Sequence, residues 1–499
     1  MTTSSSLQIT FVAAEAVPLA KTGGLADVCG VLPIELSKLG HRCSLFMPGY
    51  RRALHCGLPI EPTQIGFTIP MAGRHVACRI LRTQLPNSNV DVYLVDQPQY
   101  FDRDALYGDT QGDYRDNCER FAFFSRSVVH AIEQMDMRPD IVHCHDWQTG
   151  LIPAYMATGT GDYAWTREAA SIMTVHNLAY QGRFWHYDMV HTGLDWKYFN
   201  WKQMEFYGDL CFLKTGLIFS DMLTTVSPTY AAEIRSPEHG CALDGVLRER
   251  GNDLVGIVNG VDYQVWNPAT DKFLPKTYDV TSWQAGKRAC KQQLRQQLGL
   301  AETDAVLIGI VSRLASQKGW DLIIPLMHRW LEAGKSVQWA VLGTGEEPIE
   351  QELSRLAHHH PTQLAARLEF SEELAHRIEA ASDIFLMPSR YEPCGLNQLY
   401  SLRYGTVPVV HATGGLVDTV TEANPENLAQ GIATGFAFHG YRFDELEHTL
   451  DRAMDVCRTE ASMWGKLVEN GMRQDWSWQR SARQYSQLYA QTVAHKRNT

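Results

Sequence analysis

The segment "EAVPLAKTGGLADVCGVLP", residues 15–33, decides the fold of the N-terminal part of the chain. It follows the apolar run "LQITFVAA", which predicts a buried strand. After a polar loop, apolar side chains recur every three or four residues, at Leu25, Val28, Leu32, Leu36 and Leu39. This spacing predicts an amphipathic helix, which we expect to kink at Pro33. Strand, loop and helix together indicate the first unit of an α/β fold.

The loop between that strand and that helix contains a lysine and two adjacent glycines. At Gly23 and Gly24 the backbone N–H groups can approach a ligand closely, and the helix start adds the positive end of its dipole. Lys21 adds a point charge, so the loop suits an anion. The alternative is a bare tight turn before a helix. The glycines match neither the dinucleotide pattern G-x-G-x-x-G nor a P-loop, so neither NAD nor P-loop chemistry is indicated.

Length and composition indicate an acidic globular protein. The 499 residues are 44 % hydrophobic and 20 % charged, and we expect two or three domains. The net charge of −11 argues against general binding to nucleic acid or to a membrane surface. The 11 cysteines include no C-x-x-C pair, which is typical of reduced thiols in a cytoplasmic protein. We also expect no secretory signal and no membrane-spanning segment.

Short apolar runs alternate with helical patterns along the chain. Most runs are continuous, as expected for strands buried on both faces of a parallel sheet. They predict strands at residues 8–14, 42–48, 90–97, 140–146, 171–177 and 222–227, and then at 254–260, 305–312, 337–343, 367–371, 383–389 and 406–412. The sequence therefore predicts a doubly wound α/β protein with two sheets.

The two sets of strands give the expected domain boundaries. We expect an N-terminal domain at residues 1–253 and a C-terminal domain at residues 254–478. Residues 479–499 have a helical pattern with no strand after it, so we expect a helix that packs back on the first domain. Because ligands of open α/β sheets bind beyond the carboxyl ends of the strands, the cleft between the domains is the expected site.

Strand ends in the second half carry groups that suit a sugar diphosphate. The stretch "VSRLASQKGWDL" places Arg313 and Lys318 after a strand, where they offer a fork and a point charge to a diphosphate. The stretch "PSRYEPCGLNQL" places Glu392 before a helix, where a carboxylate can hold sugar hydroxyls. The stretch "HATGGLVDTV" repeats the Gly-Gly loop before a helix. The alternatives are a solvated basic turn and an ordinary carboxylate in the first turn of a helix.

Histidines and a carboxylate end two strands of the first half. The stretch "DIVHCHDWQTG" contains His143, His145 and Asp146, and "MTVHNLAYQG" contains His176. H-x-H occurs at zinc sites, but no carboxylate-rich partner spacing supports a metal here. We favour a cluster that hydrogen-bonds sugar hydroxyls. The stretch "DRD" at residues 102–104 mimics a metal-binding D-x-D motif, but it lies in a polar segment and is interpreted as a solvated loop.

Six ordered motifs make the chain similar to bacterial glycogen synthases and plant starch synthases. They are "KTGGLADV", "HCHDW", "TVHN", "VNGVD", "SRLASQKGWDL" and "SRYEPCGLNQLYSLRYGTVPVV" with "TGGLVDTV". The resemblance covers residues from about 8 to about 490. It implies the GT-B architecture, two Rossmann-like domains facing a central cleft, with the acceptor on the N-terminal side and the donor on the C-terminal side. It also implies transfer of glucose from ADP-glucose to the non-reducing end of an α-1,4-glucan, with retention at the anomeric carbon.

The resemblance assigns catalytic roles to matched residues. Lys21 with the backbone of Gly23 and Gly24 is expected at the donor phosphates. Arg313 and Lys318 are expected to clamp the diphosphate and to stabilise the leaving ADP. The implied catalytic residues are Lys21, His176, Arg313, Lys318 and Glu392.

The same resemblance implies a wider set of substrate contacts. The implied binding residues are Lys21, Gly23, Gly24, Asp146, His176, Asn259, Arg313, Lys318, Glu392, Cys394, Gly395, Thr413, Gly414 and Gly415. Glu392 is expected to hold hydroxyls of the transferred glucose, and His176 is expected beside that glucose. No metal and no cofactor other than the donor substrate is implied, and UDP-glucose stays open as a donor.

The matched motifs also favour one mechanism of retention. Retention usually proceeds through two inversions with a carboxylate nucleophile, but the motifs contain no obvious carboxylate for that role. We therefore expect departure of ADP and attack by the acceptor hydroxyl on the same face of the sugar. In that route the diphosphate accepts the acceptor's proton, and the protein stabilises charge and positions the reactants.

Two departures from relatives and two rival functions complete the analysis. The stretch "EFSEELAH" has Phe370 and Ser371 where many relatives have "GYDEALAH", which places base contacts in question. Tyr400 stands where many retaining relatives carry a second Glu, a change that the synthases share. The rival functions are a non-catalytic glucan-binding protein and a phosphorylase-like or sucrose-type transferase on the same fold. Intact site residues argue against the first, and no pyridoxal phosphate lysine context supports the second.

Overall fold

The computed structural model describes residues 6–109 and 112–498. These residues form two compact units: unit 1 comprises residues 6–260 and 478–498, and unit 2 comprises residues 261–477. Within the described ranges, no helix combines the length and the apolar character needed to cross a lipid bilayer.

The described strands of unit 1 are β1 (Gln8–Val12), β2 (Arg42–Pro48), β3 (Glu61–Met71), β4 (Arg74–Gln84), β5 (Asp91–Asp96), β6 (Gly108–Asp109), β7 (Gly112–Asp113), β8 (Ile141–His145), β9 (Ala170–Val175), β10 (Arg183–Phe184), β11 (Glu205–Phe206), β12 (Asp209–Cys211), β13 (Met222–Thr225) and β14 (Leu254–Gly256). Its helices before the crossing to unit 2 are α1 (Gly24–Lys38), α2 (Arg51–Leu54), α3 (Pro98–Phe101), α4 (Asn117–Gln134), α5 (Leu151–Thr158), α6 (Trp165–Glu168), α7 (Met189–Thr192), α8 (Phe212–Phe219), α9 (Pro228–Glu233) and α10 (Asp244–Arg250).

Unit 1 is built on a nine-stranded sheet in the order β14-β13-β9-β8-β1-β2-β5-β4-β3. Strands β5, β2, β1, β8, β9, β13 and β14 pair in parallel, while β3 and β4 add an antiparallel edge. The strand order reverses between β1 and β8, so the loops after these two strands flank a topological switch point. In open α/β sheets, ligands bind at such a point.

The predicted opening unit forms as expected. In α1 the side chains of Leu25, Val28, Leu32 and Leu36 are buried, and Pro33 lies inside the helix. Leu39, predicted as the last residue of the apolar stripe, is the C-cap and is 41 % exposed. The helix therefore ends one residue before its apolar pattern does.

Unit 2 contains the strands β15 (Val306–Val311), β16 (Val337–Leu342), β17 (Leu364–Arg367), β18 (Ile384–Met387), β19 (Val407–His411) and β20 (Phe436–Phe438). Its helices are α11 (Trp283–Leu298), α12 (Trp320–Glu332), α13 (Glu347–His359), α14 (Glu372–Ala381), α15 (Asn397–Tyr404), α16 (Gly414–Thr419), α17 (Pro425–Gln430), α18 (Phe443–Thr459) and α19 (Ala461–Arg473). All six strands are parallel, in the order β17-β16-β15-β18-β19-β20. This is the Rossmann order 3-2-1-4-5-6, with the switch point between β15 and β18. The predicted α/β class with two Rossmann-like domains is confirmed.

Several details differ from the sequence analysis, among them the unpredicted short strands β6, β7, β10, β11, β12 and β20. The hairpin β3–β4 was missed because its strands alternate between exposed and buried residues at the edge of the sheet. The strand predicted at residues 367–371 lies earlier, at β17, so only its first residue is in the strand. The boundary predicted at 253/254 lies after residue 260, because β14 pairs with β13 in the sheet of unit 1.

The final helix, α20 (Trp478–Asn498), belongs to unit 1. It packs against α1, and its Tyr485 and Tyr489 side chains are fully buried. The Tyr489 hydroxyl lies 2.7 Å from His143 Nδ1, and the Ser486 hydroxyl lies 2.8 Å from His41 Nε2. The helix thus completes the core of unit 1 next to β8.

We predict that Tyr489→Ala lowers the free energy of unfolding of unit 1 by about 3–5 kcal/mol, because it opens a cavity in a close-packed core. Tyr489→Phe should cost about 1–3 kcal/mol, because it leaves His143 Nδ1 buried without a partner. Urea denaturation followed by fluorescence measures both. The exposed control Gln491→Ala should keep the wild-type midpoint. A loss below 1 kcal/mol for Tyr489→Ala would contradict the packing described here.

Candidate active site

The loop that follows β1 is held together by hydrogen bonds to the carboxylate of Glu15. Glu15 is 3 % exposed and accepts hydrogen bonds from the Thr22 hydroxyl at 2.6 Å, the Gly23 N–H at 3.2 Å and the Tyr107 hydroxyl at 2.7 Å. The Gly23 N–H, which the sequence suggests for a phosphate, therefore donates to Glu15. Sequence reasoning missed Glu15, although it stands just beyond a strand and ahead of a Thr-Gly-Gly run of donors.

Lys21 lies in this loop, shortly before the N-cap of α1 at Gly23. Its Nζ is 2.7 Å from Asp27 Oδ1, and its side chain is 46 % exposed. Exposed ion pairs contribute little to stability, so this ammonium group can exchange Asp27 for an anionic ligand at low cost. Gly23 is the N-cap of α1 and Gly24 is its first residue.

Asp146 and His176 meet at the carboxyl ends of β8 and β9. These strands are parallel neighbours, with His145 opposite Thr174. Asp146 Oδ1 accepts a hydrogen bond from the His176 N–H at 2.7 Å, and Asp146 holds a positive φ of 55°. Burial raises the pKa of the Asp146 carboxyl to about 7, with the charge of Glu15 adding to the shift. Burial lowers the pKa of His176 to about 3, so His176 is a neutral hydrogen-bonding group at pH 7.

A stack of buried histidines connects His176 to α20. His145 Nδ1 lies 2.9 Å from His176 Nε2, and the rings of His143 and His145 are 4.1 Å apart. His143 is held between the Tyr489 hydroxyl, at 2.7 Å from Nδ1, and the Thr174 hydroxyl, at 2.6 Å from Nε2. Burial lowers the pKa of His143 to about 3 and that of His145 well below its usual value. These neutral rings fix the orientation of His176.

Asn259 follows β14 at the end of unit 1. Its side chain is 5 % exposed, and its Oδ1 atom is buried without a hydrogen-bond partner among the described residues. An orphaned buried oxygen is uncommon in native proteins. Asn259 therefore has an acceptor to offer a ligand.

The carboxylates of the D-x-D-like stretch at residues 102–104 are engaged in ion pairs. Across residues 6–109 and 112–498, no three His, Cys, Asp or Glu side chains form a group suited to a metal ion. In the D-x-D-like stretch, Asp102 and Asp104 both pair with Arg51, and Arg103 pairs with Asp116. The exposed carboxylates of this stretch thus lie in surface ion pairs, as expected for a solvated loop.

In unit 2, the switch point brings Lys318 and Glu392 together. Lys318 lies in the loop after β15, and Glu392 lies in the loop after β18, the neighbouring parallel strand. Lys318 Nζ donates to Glu392 Oε2 at 2.6 Å, and the Ser389 hydroxyl donates to the same oxygen at 2.9 Å. The side chains are 18 % and 8 % exposed. Oε1 of Glu392 accepts no hydrogen bond from the described residues.

Arg313 precedes Lys318 in the same loop and is exposed. Its Nη2 donates weakly to Gln317 Oε1 at 3.3 Å, and Gln317 Nε2 in turn donates to the carbonyl of Tyr391 at 3.1 Å. Arg313 therefore lies on a loop that is tied to the Glu392 segment, with most of its guanidinium donors facing solvent. Sequence reasoning missed Ser389 and Gln317, whose role depends on contacts between loops.

The glycines of unit 2 allow close packing between two loops. Gly414 has φ of +46°, and a Cβ on it would lie 2.1 Å from the Glu392 carbonyl oxygen. A Cβ on Gly415 would lie 2.1 Å from the Cys394 carbonyl oxygen, and the Gly415 N–H donates to the Glu392 carbonyl at 3.0 Å. Cys394 and Thr413 are buried beside this contact. The Gly-Gly loop therefore fixes the Glu392 segment, a function that the sequence analysis did not foresee.

Gly395 needs its own left-handed conformation. Its φ is +71°, and a Cβ there would lie 2.4 Å from Gln398 Oε1. Gln398 Nε2 donates to the Cys394 and Gly395 carbonyls at 3.0 and 3.1 Å. Gln398 thus holds the turn that carries Glu392 into α15.

The two departures from relatives have distinct settings. Phe370 is 88 % exposed after β17, and Ser371 is the N-cap of α14, where its hydroxyl accepts from the Leu374 N–H at 3.2 Å. Tyr400 stacks on Trp266 with ring centroids 3.9 Å apart. The serine at position 371 caps the N-terminus of α14. The tyrosine at position 400 provides a ring that stacks on Trp266.

Two Rossmann-like units with polar and charged side chains at their switch points are typical of GT-B glycosyltransferases. Residues 8–249 match the family described as starch synthase catalytic domain, and residues 291–465 match glycosyl transferases group 1. The chain is similar to glycogen synthase of Rhodopirellula baltica, at 47 % identity over 98 % of this chain and 99 % of that one. Glycogen synthase of Koribacter versatilis is 44 % identical over 97 % and 98 %.

Solved structures agree with these relatives. The catalytic domain of starch synthase IV from Arabidopsis thaliana, bound to ADP and acarbose, superposes with a TM-score of 0.89 at 33 % identity, over 98 % of this chain and 100 % of that one. Sucrose-phosphate synthase from Thermosynechococcus elongatus shares the fold, with a TM-score of 0.60 at 16 % identity over 98 % and 100 %. The chain belongs to the glycogen synthase family, which confirms the resemblance seen in the sequence.

We predict a pH-dependent difference in stability between wild type and His143→Gln. The pKa of His143 is about 3 in the folded state against about 6.5 when unfolded. As pH falls below 6.5, the unfolded state therefore takes up a proton on His143 that the folded state does not. The contribution of neutral His143 to the free energy of unfolding is fully present above pH 6.5 and is lost as pH falls toward 3. Below pH 6, the wild-type free energy of unfolding should fall more steeply, by about 1.4 kcal/mol per pH unit.

Urea denaturation of both proteins between pH 4 and 7 measures this difference. The raised pKa of Asp146 acts in the opposite sense, because its stabilising contribution is lost as pH rises from 3.8 to about 7. Asp146 is present in both proteins, so its contribution cancels in the difference. The exposed control Gln491→Ala should keep the wild-type slope, and equal slopes for wild type and His143→Gln would refute the assignment.

Proposed function

We propose that this protein is a glycogen synthase that transfers glucose from ADP-glucose to the non-reducing end of an α-1,4-glucan, with retention at the anomeric carbon. The observation that carries the proposal is the contact of Lys318 with Glu392 at the switch point of unit 2. One group suits a diphosphate and the other suits sugar hydroxyls, so the two ends of a nucleotide sugar are recognised side by side.

Binding of the donor would redistribute the charges of this pair. A diphosphate brings negative charge to Lys318 and to the exposed guanidinium of Arg313, which can bind it as a fork. Glu392 keeps its Ser389 bond through Oε2 and offers Oε1 to a sugar hydroxyl. As the bond from glucose to ADP breaks, both cations stabilise the charge that develops on the leaving diphosphate.

The groups of unit 1 would act on the sugar and on the acceptor. His176 is neutral at pH 7 because its pKa is about 3, so it would donate or accept one hydrogen bond beside the transferred glucose. Asp146 and the free Oδ1 of Asn259 would position the sugar or the acceptor hydroxyl. Lys21 and Gly24, at the start of α1, would lie at the donor phosphates, with Gly23 held by Glu15.

We also propose that the reaction needs no metal and no cofactor beyond the donor. The two cations of the β15 loop would supply the charge stabilisation that a metal supplies in other phosphoryl and glycosyl transfers. The acceptor would be glycogen or a related glucan. All 11 cysteines are free, which supports a reducing location such as the cytoplasm.

We predict that Lys318→Ala and Glu392→Gln each lower kcat for transfer from ADP-glucose to glycogen by about 100- to 1000-fold, by analogy with loss of a preorganised charge-stabilising donor. The matched control is Glu426→Gln, an exposed carboxylate in the first turn of α17. Release of ADP in buffer containing EDTA provides the rate. If both site variants keep more than a tenth of the wild-type kcat, the pair is not part of the donor site.

A further inference from the structure

Residues 180–207 of unit 1 carry an exposed aromatic surface. Of the seven aromatic side chains that are exposed in the described part of the chain, six lie here: Tyr180, Trp185, Tyr187, Trp196, Trp201 and Tyr207. Their exposed fractions range from 46 % to 75 %. Single exposed apolar residues are ordinary, but a concentrated set marks a binding surface. We call these six side chains the aromatic surface.

Buried contacts hold the backbone beneath these rings. Met204 and Leu210 are fully buried, and the small sheet β10-β12-β11 joins the segment to α8. Lys214, on α8, donates from Nζ to the Trp201 and Glu205 carbonyls, both at 2.6 Å. The Trp201 side chain is thus 73 % exposed, while its backbone carbonyl is held by the hydrogen bond from Lys214.

Three of the six rings, those of Trp185, Tyr187 and Trp196, also contact one another. The centroids of Trp185 and Tyr187 are 4.7 Å apart, and those of Tyr187 and Trp196 are 6.3 Å apart. Trp196 contacts Phe199 at 5.7 Å. Contacts of this kind limit the rotamers of exposed side chains, so less freedom is lost when a ligand binds.

Tyr207 is exposed at a conformational cost. It forms the two-residue turn of the β11–β12 hairpin with Gly208, at φ of 51° and 83°. A turn with two positive φ values favours Asn-Gly, and an aromatic residue is unfavourable at its first position. The backbone of Tyr207 is therefore strained, and its ring is 75 % exposed.

The segment is continuous with the site of unit 1. It begins four residues after His176, and the Phe184 ring lies 5.7 Å from the ring of Trp147, which follows Asp146. Gly182 packs so closely on Trp147 that a Cβ would lie 2.5 Å from the indole. A ligand that reaches the Asp146 side of the site can therefore extend over this segment.

We propose that the aromatic surface binds an α-1,4-glucan chain of the acceptor, an inference that rests on the proposed function. Trp and Tyr offer flat faces to the C–H face of a pyranose and polar edges to its hydroxyls. Val190 is the only exposed large aliphatic side chain described between residues 180 and 207, which is poor composition for a membrane anchor. The net charge of −11 also opposes anionic lipids.

The test is native electrophoresis in gels with and without glycogen, using wild type and the double variant Trp201→Ala, Tyr207→Asn. Asn suits the positive φ at position 207, so the variant turn should stay folded. A dextran gel controls for linkage, and Ile432→Ala, which removes an exposed apolar side chain of unit 2, is the matched control. Urea midpoints show that all variants are folded.

We expect glycogen, but not dextran, to retard wild type and Ile432→Ala, and the Kd of the double variant to rise by about tenfold. In transfer assays its KM for glycogen should rise while its KM for ADP-glucose stays constant. Equal retardation of wild type and double variant, or no retardation of wild type, would overturn the proposal. If glycogen retards wild type more than the double variant but no glucose transfer occurs, the aromatic surface is supported as a glucan-binding site. The proposed enzymatic function is then refuted.

Discussion

The site of each unit depends on one topological constraint, the reversal of strand order in a parallel sheet. Where neighbouring strands send their connections to opposite faces, a gap opens beyond their carboxyl ends. In unit 1 this gap lies between β1 and β8, and in unit 2 it lies between β15 and β18. Residues far apart in the chain, such as Lys318 and Glu392, become neighbours for this reason alone.

Lys318 and Glu392 form a mostly buried ion pair in unit 2. Removing one partner of such a pair leaves an uncompensated charge, which is why mostly buried charges are found paired. Because Gly414 and Gly415 have no side chain, their loop can contact the backbone carbonyls of Glu392 and Cys394. This contact fixes the position of the loop that carries Glu392. Lys318, Ser389 and Glu392 are thus held in one fixed arrangement before any ligand binds. In unit 1 the stack of neutral histidines fixes the orientation of the His176 ring.

The sequence predicted elements whose causes are local and missed those whose causes are tertiary. The helix α1 followed from its apolar spacing, and the strands that precede Asp146 and Glu392 followed from continuous apolar runs. That Glu15 occupies the Gly23 N–H could not be predicted, because a carboxylate of a folded chain has many possible partners. The three-residue strand β14 moved the domain boundary because its sheet is decided by pairing with β13.

The most direct test of the account follows the reaction itself by proton NMR. The protein is incubated with maltotriose and either ADP-glucose or UDP-glucose, with EDTA present. The account predicts release of ADP from ADP-glucose together with growth of an α-1,4 anomeric signal. A β-linked product, or transfer that starts only when a divalent metal is added, would contradict the proposed mechanism. Consumption of UDP-glucose while ADP-glucose stays intact would contradict the proposed donor.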